Sequence, residues 1–136
     1  MICEICRDVK FLKRKSLPAT EQDAEVIQNL RDTLRANRER CVGMAANMIG
    51  VNKRIIIFST GILEIVMVNP KITAKSDAFQ TTESCLSLTG ERRCRRYRTI
   101  TVAYQDSHFQ KKTGDFSGFT AQIIQHECDH LEGIII

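Results

Sequence analysis

At 136 residues, with 43% hydrophobic and 26% charged residues and a net charge of +4, the chain is sized for a single domain, residues 1–136, with a core of its own. No apolar run approaches the length of a membrane span, and Met1-Ile2-Cys3-Glu4 is too short and too polar for a secretory leader, so the expectation is a cytoplasmic protein with no membrane partner. In that compartment the six cysteines (3, 6, 41, 85, 94 and 128) are expected as thiols, and Cys3-x-x-Cys6, lacking a second pair, reads as accidental.

Thr20-Glu21-Gln22-Asp23 carries a helix start, with Thr20 as N-cap and an acid three residues on. Ala24, Ile27, Leu30 and Leu34 follow as an apolar stripe, so this helix is expected to run to about Arg38. Gly43 to Gly50 is small, apolar and bounded by glycines, a segment suited to close packing. Strands are expected at 54–59, 65–69, 99–104 and around Phe116, punctuated by Gly61 and Pro70. The run Arg92 to Arg98 holds five arginines in seven residues and reads as a solvated loop with one structural arginine, in preference to a contact with ribosomal RNA; no DNA partner is expected. Gly118 and Gly133 bracket a last helix with apolar residues at 119, 123, 124, 128 and 131, a spacing that buries it on more than one side. Helix, several strands, then helix give an α+β fold with a mostly antiparallel sheet packed on the C-terminal helix.

That last helix carries His126-Glu127-Cys128-Asp129-His130. Two histidines four apart project from one helical face and can share a metal ion, and Glu127 is placed to take a proton from a water on that ion. A buried helix with this polarity needs a reason, and a metal is one. A further ligand is required. Cys85, in Glu83-Ser84-Cys85-Leu86-Ser87, can supply a thiolate, although spacing alone does not single it out among six cysteines.

Three segments together resemble the peptide deformylase family, over nearly the whole chain. Gly43-Met44-Ala45-Ala46-Asn47-Met48-Ile49-Gly50 is similar to the family's G-Φ-G-Φ-A-A-x-Q-Φ-G, Glu83-Ser84-Cys85-Leu86-Ser87 to E-G-C-L-S, and Gln125 to Gly133 matches Q-H-E-x-D-H-L-x-G throughout. The resemblance implies that Cys85, His126 and His130 bind the metal and that Glu127 is the general acid/base. It implies ferrous iron physiologically, with zinc, nickel or cobalt as replacements. It adds Gly43, Met48 and the Leu86 backbone N–H to the catalytic surroundings. The implied substrate is the N-formylmethionyl end of new polypeptides, released as formate and a free amino terminus, with transient ribosome contact. By the same resemblance Asp129 is expected to pair with Arg95 or Arg96. The methionyl side chain is expected in an apolar pocket near Met44, Ile124 and Cys128.

Three positions depart from the family pattern. Met48 stands where the family has a glutamine whose amide helps hold the developing oxyanion, and a thioether donates no hydrogen bond. Cys41 and Ser84 replace motif glycines. One lost oxyanion donor costs about 10²–10³ in rate. The departures therefore raise the alternative of a metal-binding protein that binds formylated peptides or the ribosome without efficient turnover.

Overall fold

In the computed structural model, which describes residues 1–136, a one-turn helix, α1 (Val9–Leu12), precedes the first long one. Thr20 closes a capping box with Asp23 over a 3-10 turn, Glu21–Asp23, that leads into α2 (Ala24–Ala36). Ile27, Leu30 and Leu34 are buried as the stripe requires, joined by Thr33, while Ala24 is exposed. The helix stops short of Arg38 because Asn37 folds back, its Nδ2 donating to the Thr33 carbonyl at 2.8 Å.

Five antiparallel strands follow in a meander: β1 (Gly43–Ala45), β2 (Ile55–Ser59), β3 (Glu64–Cys85), β4 (Leu88–Gln105) and β5 (Lys111–Ser117), lying side by side in chain order. The chain closes with α3 (Gly118–Leu131). The run Ile55-Ile56-Ile57-Phe58 is buried without interruption because β2 is covered on both faces. Ile55 and Ile57 pack with Val66 and Val68 under α2. Ile56 and Phe58 pack with Met67, Ile123 and Ile124 under α3. Alternation along each strand feeds two cores through one sheet.

The hairpin β3–β4 departs from expectation. Its strands hold 22 and 18 residues, so the ladder runs far beyond the strands expected at 65–69 and 99–104. Pro70 does not end β3, because a bulge between Val68 and Lys71, with Asn69 at φ 51°, removes the need for a ladder N–H there. Asn69 secures the bulge: its Oδ1 accepts from the Ala19 N–H, and its Nδ2 donates to the Ala19 carbonyl. The arginine run is likewise corrected from loop to strand. Alternation in β4 buries Arg96, the one structural arginine, and leaves Arg93 and Arg95 exposed. This ribbon is half solvated and held largely by backbone ladder bonds, so it carries little of the apolar periodicity that marks a strand.

α3 ends against the N-terminal segment. Gly133 has φ +76°, and a Cβ there would lie 2.2 Å from the Lys13 carbonyl oxygen, so no other residue fits. The Ser16 N–H donates to the Leu131 carbonyl at 2.8 Å and fixes the same junction.

Candidate active site

His126 and His130 project from one face of α3, their Nε2 atoms 3.1 Å apart. Cys85 is the last residue of β3, where the register breaks between Glu83 and Cys85. The break turns its thiol to the helix, and the ligand atoms of Cys85, His126 and His130 all lie within 4.8 Å of one another. One sulfur and two imidazole nitrogens converging on a point are a donor set suited to zinc, iron and similar divalent ions. The fold thus brings together the three residues expected as ligands.

A carboxylate holds the first histidine in place. His126 Nδ1 lies 2.7 Å from Glu83 Oε1, and an ionised carboxylate only accepts, so the ring N–H is the donor. That leaves Nε2 directed at the other ligands, the usual way a metal-binding histidine is oriented. Glu83 also accepts from Arg96 Nε at 3.0 Å, Arg96 Nη2 at 2.7 Å and Gln122 Nε2 at 2.9 Å. Arg96 reaches on to Asp129 through Nη1 at 2.7 Å. Of the two arginines expected beside Asp129, Arg96 is the partner; Arg95 is exposed and lies over the Tyr97 ring, 5.5 Å from its centroid. Gln125 adds a second clasp between α3 and β4: its Oε1 accepts from the Tyr97 N–H at 2.8 Å and its Nε2 donates to the Tyr97 carbonyl at 2.8 Å.

The protonation of the cluster follows from burial and these contacts. Burial pushes Glu83 up, but hydrogen bonds from His126, Arg96 and Gln122 outweigh it and bring the carboxyl down to about 2. Burial opposes a charge on His126, yet Cys85, Glu83 and Glu127 hold its imidazolium up to about 10. His130, buried and beside that charge, falls to about 3. Both rings must present a bare Nε2 to a metal. Burial lifts Glu127 to about 7, close to where a proton-transfer group works at neutral pH.

Glu127 faces β1. A Cβ at Gly43 would stand 2.9 Å from Ile123 and 3.0 Å from Glu127 Oε2, so the glycine is what allows the strand and the carboxylate to approach. Glu127 Oε1 is buried with no hydrogen-bond partner, and Glu127 lines, with Cys85 and His126, a cavity of about 440 Å³. The size is ordinary for a small-ligand pocket. Apolar lining comes from Val42, Met48, Leu86, Phe119 and Ile123. The pocket expected from Met44, Ile124 and Cys128 is therefore corrected. Met44 and Ile124 are 0% exposed and Cys128 is 9%; all three lie in the core and none of them lines the cavity. Met48, only 1% exposed, presents its thioether where the family pattern has an amide. Cys41 lies at the rim, its thiol donating to the Gly43 carbonyl at 2.8 Å and pushed up to about 12 by burial and by Glu127. No helix is long and apolar enough to cross a membrane.

The sequence model of the polypeptide deformylase family matches residues 2–136. A curated peptide deformylase of Clostridium beijerinckii is 58% identical over the full length of both chains. Peptide deformylase 2 of Clostridium acetobutylicum is 32% identical over 93% of this chain and 86% of its own. Among solved structures, a peptide deformylase from Legionella pneumophila superposes with a TM-score of 0.88 at 28% identity, covering 99% of this chain and 83% of that one. A class I type b peptide deformylase from Acinetobacter baumannii, bound to Met-Ala-Ser, superposes with a TM-score of 0.89 at 26% identity, covering 99% and 97%.

Proposed function

The chain belongs to the polypeptide deformylase family and is a metal-dependent hydrolase of formylated nascent peptides, and we propose that Cys85, His126 and His130 hold its metal while Glu127 moves the proton. The observation that carries this reading is the buried, unpartnered Glu127 Oε1 beside three convergent ligand atoms. The metal, when bound, supplies Lewis acidity that acidifies a water and polarises the formyl oxygen. Glu127 Oε1 takes the proton of the attacking water as its oxygen bonds to the formyl carbon. The same carboxyl then delivers a proton to the amine nitrogen as the C–N bond breaks, leaving formate and a free amino terminus. The Leu86 backbone N–H donates to the oxyanion, and Met48 contributes contact without a donor.

Substrate placement follows from the edge strand. The Ser59 N–H donates to the Val42 carbonyl at 2.8 Å, so the next backbone groups, those of Gly43, point away from β2 to the open side. An extended peptide can add there by main-chain hydrogen bonds, with its methionyl side chain against Val42, Leu86, Phe119 and Ile123. The Met-Ala-Ser held by the Acinetobacter baumannii protein supports the same assignment for this chain. Ferrous iron is the proposed physiological metal, zinc, nickel or cobalt fitting the same donors. The proposed setting is the cytoplasm, on chains leaving the ribosome, with transient ribosome contact. We read residues 1–136 as one domain, both cores sharing a single sheet.

Metal analysis of Cys85→Ser and His130→Ala tests the site. Each variant is expected to lose stoichiometric metal and, with it, formate release from formyl-Met-Ala-Ser. Full metal in both variants would remove the assignment.

A further inference from the structure

The cavity continues beyond the metal donors. Its rim at Cys41 and Val42 is shared with a second groove of about 710 Å³. One wall of that groove is the C-terminal half of α2 and the turn after it, with Arg31, Arg35 and Arg38; the other is the turn between β2 and β3, with Ile62 and Leu63, which are 93% and 63% exposed. Arg40 lines the cavity itself and the cleft adjoining the groove.

The charges there are unevenly matched. Arg35 is neutralised by Glu64, its Nη2 donating at 2.7 Å and its Nε at 3.1 Å. Asp32 is occupied by the N-terminal amine. Arg31, Arg38 and Arg40 form no ion pair, and Arg40 donates to Asn37 Oδ1 at 2.9 Å. Glu39 is exposed and lines only the adjoining cleft. Two unpaired guanidinium groups, Arg31 and Arg38, and two uncovered aliphatic side chains thus line the groove, and a third, Arg40, lines the cavity beside it.

We propose that this groove receives the residues following the formyl-methionine and selects peptides with Asp or Glu at their third and fourth positions over those with Lys or Arg. The inference rests on the deformylase reading of the adjoining pocket. With methionine opposite Gly43 and an extended chain running back along Val42 and Cys41, the third and fourth residues arrive near Arg40, since both chains advance about 3.3 Å per residue. Their carboxylates meet unpaired cations there, and ammonium groups meet like charge.

The test compares kcat/KM of the metal-loaded full chain on formyl-Met-Ala-Asp-Glu and formyl-Met-Ala-Lys-Lys. The acidic peptide is expected to be favoured by roughly five- to tenfold at low salt, the range that two or so exposed ion pairs supply. The difference should lie in KM and shrink as salt rises. Arg38→Glu combined with Arg40→Glu should invert the order. Equal kcat/KM at low salt, or an order unmoved by charge reversal, overturns the proposal. Absence of turnover on both peptides would instead overturn the deformylase reading. Calorimetric binding of the same two peptides then decides the groove, equal Kd values overturning it and tighter binding of the acidic one upholding it.

Discussion

Met48 is buried in the pocket wall beside the catalytic cluster, and its chemistry sets an upper bound on what the site can do with an oxyanion. A thioether places no donor where charge develops. Met48→Gln is expected to raise turnover of formyl-Met-Ala-Ser, by up to the ~10²–10³ that one donor contributes, with metal content unchanged because residue 48 is not among the convergent ligands. Turnover equal to wild type in the metal-loaded variant would show that another group already fills that role. At this scale the proximity of Cys85, His126 and His130 was legible, because a four-residue helical spacing and three ordered motifs constrain them. Glu83 was quoted in a motif but its work was not legible, since that depends on partners 13 and 43 residues away, Arg96 and His126. The pocket wall was misassigned for a simple geometric reason: one residue along a helix turns the side chain by about 100°, so Ile123 lines the cavity while Ile124 fills the core.

Between elements, the contact that fixes the site is the chain of charges from α3 through β4 to β3. Asp129 and Glu83 grip Arg96 from two sides, with side-chain exposures of 26%, 8% and 4% respectively. Asp129→Asn keeps the shape and removes one charge-assisted bond. Allowing for the partial exposure of Asp129, the loss is expected at about 1–2 kcal/mol, a fall of roughly 3–10 °C in melting temperature. A melting curve that overlays wild type would mean that the pair adds nothing to the fold. The expectation of an arginine partner came from motif order. Its placement required the β3–β4 register, which the sequence conceals: Glu83 pairs with Arg92 and Phe79 with Arg96, and the ribbon's charged, half-solvated residues mask its strand character.

Across the whole molecule, one antiparallel sheet is covered by α2 on one face and α3 on the other, and the proposed active site lies where α3, the end of β3 and the edge of β1 meet. The fold class was legible from the order of periodicities, because the two helices and the doubly buried β2 carry strong apolar patterns. The extent of the long hairpin was not, because its stability comes from backbone pairing and from the clasps of Arg96 and Gln125. The proposed mechanism gives proton transfer to one buried carboxylate, Glu127, which is not among the convergent ligand atoms, and Glu127→Gln isolates that role while preserving shape. Formate release from formyl-Met-Ala-Ser, measured with metal content determined on the same sample, should fall by about 10²–10⁴ while the metal stays stoichiometric. Wild-type turnover by a fully metal-loaded Glu127→Gln protein would contradict the account.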